Sequence, residues 1–125
     1  MFLVTGVAGF IGYHAARRLL ERGDTVVGID NLSPYYSVAL KRARLAELSR
    51  FKGFTFREAD ISDAHALRVA LGELAVHRII HLAAQAGVRH SLTHPEDYAS
   101  ANLAGHLNML EVARHGQACE LMVYA

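Results

Sequence analysis

The stretch Val4-Thr5-Gly6-Val7-Ala8-Gly9-Phe10-Ile11-Gly12 decides the fold, because it holds three glycines at three-residue spacing. A short apolar run precedes it, and an amphipathic segment that ends near Gly23 follows it. A second apolar run over residues 25–29 then leads to Asp30. A glycine triplet alone is a weak signal. Strand, tight glycine turn, helix, strand and acid in this order are together typical of a dinucleotide-binding βαβ unit.

The spacing of the three glycines has a chemical explanation. Gly6 permits a sharp turn off the strand, and Gly9 has no side chain, so a pyrophosphate can approach the backbone. Gly12 permits close packing of the helix on the sheet. The free N–H groups and the positive end of the helix dipole then face the phosphates.

Asp30 lies 18 residues after Gly12, close to the roughly 20 expected for the acid that binds the adenosine ribose. Its carboxylate can accept hydrogen bonds from the 2′- and 3′-hydroxyls. It would repel a 2′-phosphate, which carries about −1.5 to −2 charges. The sequence therefore predicts NAD in preference to NADP.

Composition limits the class of protein. The chain has 125 residues, 52% of them hydrophobic and 20% charged, which predicts one soluble globular domain. A formal net charge of +1 gives no argument for nucleic acid or membrane binding. Cys119 is the single cysteine, so no internal disulfide can form, and no basic leader or long apolar run is present. We expect a cytoplasmic protein.

Eight histidines raise the question of a metal site. They are scattered, without a His-x-x-x-His pair supported by acids and without a cysteine cluster. Structural or surface roles are the better interpretation, and we predict no metal.

Strand-like and helix-like patterns alternate along the chain. The predicted strands cover about residues 2–5, 25–29, 54–58, 78–82 and 120–124, and the predicted helices about 10–22, 37–49, 63–75 and 95–115. Alternation of this kind predicts an α/β fold, a Rossmann-type doubly wound parallel sheet with right-handed crossovers and strand order 3-2-1-4-5.

Three segments around this framework have two interpretations each. The basic residues Lys41, Arg42, Arg44 and Arg50 form either a solvated helix face, which we prefer for the arginines, or a rim near the adenosine end. Ser62 or Asp63 can cap the following helix without any cofactor, whereas Asp60 could accept a bond from the adenine amino group. The small residues after strand four either leave room for a ligand at the switch point of the sheet or form a tight turn.

The last predicted helix has two apolar faces. Leu103, Leu107 and Leu110 form one face, and Met109 and Val112 belong to the opposite one. One face can cover the sheet, while the other must meet another part of the fold or a partner subunit. We therefore expect a homo-oligomer formed through this helix or an edge strand.

These motifs support a family resemblance. The glycine triplet, Asp30-Asn31-Leu32, Asp60-Ile61 and the stretch from His81 to Arg89 resemble the extended short-chain dehydrogenase/reductases. More narrowly, Gly28 to Leu32, the Tyr35-Tyr36 pair and residues 83–89 are similar to the UDP-glucuronate 4-epimerases and related sugar-nucleotide epimerases. The resemblance covers essentially all 125 residues.

The resemblance implies roles for particular residues. It implies NAD as cofactor and a UDP-sugar as substrate, with transient oxidation at C4 of the sugar by hydride transfer to NAD. By position, the implied cofactor-binding residues are Gly6, Gly9, Phe10, Ile11 and Gly12 at the pyrophosphate, Asp30, Asn31 and Leu32 at the adenosine ribose, Asp60 and Ile61 at adenine, and Leu82, Ala83, Ala84 and Gln85 towards nicotinamide. Asn102 matches an asparagine of the family, and Arg89 lies where a substrate-facing loop is expected, although a solvated arginine fits equally.

The sequence departs from the family in its catalytic motif. The family's Tyr-x-x-x-Lys lies on the helix after strand five, and no tyrosine here has a lysine four residues later. We therefore predict no catalytic residue in these 125 residues. We expect an incomplete NAD(P)-binding domain, the amino-terminal part of an epimerase that is cut at strand five and inactive alone. A related dehydratase or reductase and a non-catalytic binding module remain alternatives.

Overall fold

Five parallel strands form one sheet in the order β3-β2-β1-β4-β5, as predicted. The computed structural model describes residues 1–125. The strands are β1 (Phe2–Thr5), β2 (Val26–Asp30), β3 (Phe54–Glu58), β4 (Arg78–His81) and β5 (Leu121–Tyr124). In register, Thr5 lies beside Ile29 on one side and His81 on the other. The carboxyl ends of β1, β2 and β4 therefore open at one edge of the sheet, where ligands bind in folds of this kind.

The first three helices begin within one residue of their predicted starts. They are α1 (Phe10–Glu21), α2 (Val38–Leu48) and α3 (Ala64–Leu71). Ser37 caps α2, and the Asp63 carboxylate caps α3 by accepting the N–H groups of His65 and Ala66, both at 2.9 Å. Helix α3 is shorter than predicted, because Gly72 leaves the helix with a φ of +51°.

The last predicted helix has the expected extent but is not uniform. It consists of α4 (Pro95–Tyr98), a π-helical segment (Ala99–Gly105) and α5 (His106–His115). A Cβ added at Gly105 would lie 2.8 Å from the side chain of Ile61. The absence of a side chain at Gly105 thus lets the wide turn lie close to the Ile61 loop.

Two apolar clusters cover the two faces of the sheet. Leu3, Ile79 and Met109 belong to one, on the side of α3 and α5. Val4 and Leu48 belong to the other, on the side of α1 and α2. Because neighbouring residues of β1 contribute to opposite clusters, the sheet is buried on both faces, as in a doubly wound fold.

The two faces of the last helix differ as the sequence predicts. Met109 is fully buried against the sheet. On the other face, Leu103 is 73% exposed, Leu107 56% and Leu110 42%. None of the helices combines the length and the apolar character that a membrane-spanning segment requires.

Candidate functional site

A cleft of about 780 Å³ opens at the carboxyl edge of the sheet, between the loops that follow β1, β2 and β4. It brings together most of the residues that the sequence singled out. Those that line it are Gly6, Gly9, Phe10, Ile11, Gly12, Asp30, Asn31, Asp60, Ile61, Leu82, Ala83, Ala84 and Gln85. Leu32, Arg89 and Asn102 do not line it.

The glycine loop has the close packing that its spacing predicts. Gly6 has a φ of +68°, and a Cβ there would lie 2.9 Å from the Ala83 nitrogen. A Cβ at Gly12 would lie 2.7 Å from the carbonyl carbon of Gly6, so the start of α1 touches the loop backbone. Gly9 precedes α1 and supplies no side-chain cap. The first N–H groups of α1 are therefore free to bind an anion in the cleft.

Asp30 ties the glycine loop to the end of β2. Its side chain is only 5% exposed. The Ala8 N–H donates to its Oδ2 at 3.1 Å, and the Leu32 N–H donates to its Oδ1 at 2.9 Å. These bonds hold the carboxylate at the cleft wall, beside the loop that is expected to meet the pyrophosphate.

The basic residues of α2 and its C-terminal end are only partly solvated. Arg42 and Arg50 are exposed, as expected, but Arg44 is not, which corrects the preferred interpretation for that residue. Lys41 and Arg44 line the cleft. The Lys41 ammonium lies 3.3 Å from Asp30 Oδ1, and the Arg44 guanidinium donates to the Ala8 carbonyl at 3.1 Å. Arg42 is exposed and does not line the cleft. The sequence did contain a signal for this arrangement: the three-residue spacing of Lys41 and Arg44 places both cations on one face of the helix.

The side chain of Leu32 does not line the cleft. The residue has a φ of +52°, and the side chain is buried in the core beside Val4 and Leu45. Only its N–H is directed to Asp30. A left-handed leucine is unusual, and nothing in the sequence indicates that this side chain packs into the core.

Asp60 lies at the end of the cleft away from the glycine loop. Its carboxylate accepts Asn31 Nδ2 at 2.8 Å and the Ser62 hydroxyl at 2.6 Å. Burial disfavours the charged carboxylate, but the hydrogen bonds from Ser62 and Asn31 outweigh this effect and lower the pKa of Asp60. The group is therefore an ionised acceptor at neutral pH.

The loop after β4 is held by a buried pair that sequence reasoning missed. Thr5 Oγ1 accepts the N–H groups of Leu82 at 3.2 Å and Ala83 at 3.1 Å, and it lies 2.7 Å from His81 Nδ1. Because the threonine oxygen accepts twice, its own hydrogen is directed to Nδ1. His81 is thus a neutral acceptor that fixes the loop backbone. The partners are 76 residues apart, so only the fold brings them together.

Gln85 is fixed by Asn102 in the π-helical segment. The Gln85 N–H donates to Asn102 Oδ1 at 2.7 Å, and Asn102 Nδ2 donates to the Gln85 carbonyl at 3.1 Å. Asn102 therefore positions the loop and does not itself line the cleft. Arg89 is exposed, in a 3₁₀ turn (Val88–Leu92) outside the cleft.

A rim of aromatic side chains joins two loops beside the cleft. The Tyr35 hydroxyl packs on Gly87, and the Tyr35 and His90 rings lie 4.9 Å apart. The Tyr98 hydroxyl donates to the carbonyl oxygen of Gly87. His90 also stacks on His94, with ring centroids 4.3 Å apart. No group of three or more His, Cys, Asp and Glu side chains could hold a metal ion.

The His81 pair predicts a pH-dependent stability. Burial, reinforced by His106, lowers the pKa of His81 from 6.5 to about 4. As the pH falls between these values, the unfolded chain binds a proton that the folded chain does not. The free energy of unfolding therefore decreases across this window, by at most about 3 kcal/mol.

Urea unfolding of the wild type and of His81→Asn at about pH 7.5 and about pH 5 checks this expectation. The variant should lose less stability than the wild type between the two conditions. Equal losses in both proteins would contradict the buried neutral state of His81.

Fold and site define a class: a dinucleotide-binding Rossmann domain, with a glycine loop, a free helix N-terminus and a buried acid at the switch point of a doubly wound sheet. The model of the GDP-mannose 4,6 dehydratase family matches residues 3–124. The chain belongs to this family.

Individual relatives give a finer comparison than the family model does. The chain is 51% identical over 113 residues to a probable UDP-glucuronate 4-epimerase of Rhizobium meliloti, covering 90% of this chain and 33% of that protein. It is 43% identical over 123 residues to UDP-glucuronate 4-epimerase 4 of Arabidopsis thaliana, covering 98% of this chain and 28% of that protein.

A solved structure of a UDP-glucuronic acid 4-epimerase is also similar to this chain. It is a mutant of UDP-glucuronic acid 4-epimerase from Bacillus cereus, in complex with UDP-4-deoxy-4-fluoro-glucuronic acid and NAD. The TM-score is 0.85 at 31% identity, over 98% of this chain and 38% of that one. The chain thus spans about a third of the length of these relatives.

Proposed function

We propose that this chain forms the NAD-binding part of a nucleotide-sugar 4-epimerase, an isomerase whose substrate is UDP-glucuronate. One observation carries the proposal: the glycine loop and the buried Asp30 meet at a single cleft in a chain that is 43 to 51% identical to UDP-glucuronate 4-epimerases. The similarity to an epimerase solved with NAD supports the same cofactor here.

The cleft fits the adenosine and pyrophosphate parts of NAD. At Gly9 the missing side chain leaves the backbone open, and the first N–H groups of α1 have no cap to compete with a phosphate. Asp30 retains acceptor capacity for ribose hydroxyls, since a carboxylate has about four lone-pair sites. Ionised Asp60 can accept from the adenine amino group.

The residues beyond the adenosine end of the cleft orient the nicotinamide end of NAD, where the hydride is transferred. When bound, NAD supplies the acceptor for the hydride that leaves C4 of the sugar. Leu82, Ala83 and Gln85 line the path in that direction, and Thr5, His81 and Asn102 hold their backbone. No tyrosine in the 125 residues has a lysine four residues later. We therefore assign binding and orientation to this chain, and no proton transfer.

Thermal unfolding in the presence of ADP-ribose tests whether the cleft binds the adenosine and pyrophosphate parts of NAD. This ligand contains the adenosine and pyrophosphate but not the nicotinamide. At about 100 times its Kd it should stabilise the folded chain by about 2.7 kcal/mol, seen as a higher Tm, whereas UMP at the same concentration should give no shift. No shift with ADP-ribose at millimolar concentration would overturn the proposal.

We expect the 125-residue polypeptide to convert no UDP-glucuronate in the presence of NAD. It lacks the tyrosine–lysine pair that the family resemblance assigns to proton transfer. Chromatographic separation of UDP-glucuronate from UDP-galacturonate checks this expectation. Turnover above that of buffer with NAD would show that another residue of this chain accepts the hydroxyl proton.

A 4,6-dehydratase is the second candidate, because the matching family model carries that description. Dehydration of this kind removes a hydroxyl from C6, and glucuronate carries a carboxylate there. Identities of 43 to 51% to UDP-glucuronate 4-epimerases therefore favour epimerisation. A 4-keto-6-deoxy product from the complete enzyme that this proposal implies would decide for the dehydratase.

The proposal includes a cytoplasmic, self-associating protein. Leu103, Leu107 and Leu110 form an exposed apolar row that a second copy could cover. Sedimentation at increasing concentration should show a rising mass. A monomer at all concentrations would exclude this contact.

A further inference from the structure

A chain of hydrogen bonds leads from the adenosine end of the cleft towards its far wall. The Asn31 amide donates to Asp60 Oδ2 at 2.8 Å, and Asn31 Oδ1 accepts the Ser33 N–H at 3.0 Å. Ser33 Oγ in turn accepts the Tyr35 N–H at 3.3 Å. All four residues line the cleft. A nucleotide that contacts Asp60 or Asn31 therefore acts on the loop that carries Tyr35.

The Tyr35 side chain crosses to the loop that follows β4. Its hydroxyl packs on Gly87, and its ring lies 4.9 Å from that of His90. Strands β2 and β4 lie on opposite sides of β1, so this contact joins the two walls of the cleft across the carboxyl end of β1. Tyr35 belongs to neither apolar cluster of the core. The contact therefore joins two loops and does not support the sheet.

Gly87 controls the start of the 3₁₀ turn (Val88–Leu92) at the other end of the cleft. Its carbonyl accepts the His90 N–H at 3.1 Å, the first hydrogen bond of the turn. The Tyr98 hydroxyl donates to the same carbonyl, and it lies 3.1 Å from the carbonyl oxygen of Ala86, which lines the cleft. The position of Gly87 therefore sets the position of the turn.

We propose that Tyr35 is a positioning residue that couples the two ends of the cleft. A nucleotide held at the adenosine end fixes Tyr35, and Tyr35 fixes Gly87 and the turn after it, at the end where the sugar is oxidised. Binding of the dinucleotide thereby prepares the surface that meets the sugar, and linkage makes the effect reciprocal. This inference rests on the proposed binding of a dinucleotide in the cleft.

Titration of the ¹⁵N-labelled chain with ADP tests the inference, because ADP carries the adenosine and the pyrophosphate and nothing that reaches the sugar end. In the wild type, amide shifts should saturate together in two sets, the first in residues 31–33 and 60–62 and the second in residues 87–92. Tyr35→Ala should keep the first set and lose the second. Val88→Ala, which truncates an 86% exposed side chain in the turn itself, should keep both sets.

Gly87→Ala breaks the same contact from the other side, because the added Cβ would lie 2.9 Å from Tyr35 Cζ. It should also lose the second set, which keeps the test decisive where Tyr35→Ala is poorly folded. With the first set present, absence of the second set in the wild type, or its persistence in either folded variant, would overturn this inference and leave the proposed function intact. Loss of both sets in a folded Tyr35→Ala protein would make Tyr35 a direct ligand contact and would also overturn the coupling. No shift in the wild type at millimolar ADP would overturn both proposals.

Discussion

Gly12→Ala is expected to abolish ADP-ribose binding and to lower the free energy of unfolding by about 3 kcal/mol. The added Cβ would lie 2.7 Å from the Gly6 carbonyl carbon and 3.0 Å from the Val7 Cα. These neighbours are backbone atoms of a loop fixed by β1 and by Asp30, so α1 must move away from the sheet. Urea unfolding and calorimetry measure the two effects.

Gly9→Ala is the matched control, because it separates binding from folding. Its Cβ would meet only the Gly6 carbonyl oxygen, at 3.1 Å, and the φ of −72° suits alanine. The free energy of unfolding should change by less than about 1 kcal/mol. Binding should fall at least about tenfold, because the methyl group occupies the approach of the pyrophosphate. A Gly12→Ala protein that folds and binds like the wild type would contradict the close packing of loop and helix.

Asp30→Ala should weaken NAD binding by about 10- to 100-fold, the loss of one hydrogen bond to a charged acceptor. It should also narrow the gap between NAD and NADP, because the 2′-phosphate loses a repulsive neighbour. Asp24→Ala is the control, since Asp24 pairs with Arg22 at the surface and should change neither affinity. An unchanged preference in Asp30→Ala would refute the role of Asp30.

The strand order and the glycine loop were predictable because they depend on local patterns. Apolar runs alternate with amphipathic segments, and the three glycines follow the first run directly. The position of Asp30 followed from its distance along the chain. The glycine loop and Asp30 lie within the first 30 residues, the size of one βαβ unit. The strand order follows from the repetition of such units along the chain with right-handed crossovers.

Other parts of the site depend on contacts between distant residues. Thr5 and His81 meet only after β1 and β4 pair, and Asn102 reaches Gln85 only through the wide π turn. The inward turn of Leu32 depends on the space that the core leaves. Lys41 reaches Asp30 because α2 packs on α1. The basic composition of this segment does not indicate that packing.

Backbone amide shifts of the ¹⁵N-labelled chain during titration with NAD test whether the dinucleotide binds in the cleft at the carboxyl edge of the sheet. Saturable shifts are expected mainly in residues 6–12, 30–32 and 60–61, with small changes along the exposed row of Leu103, Leu107 and Leu110. No shifts at millimolar NAD, or shifts confined to residues outside the cleft, would contradict it.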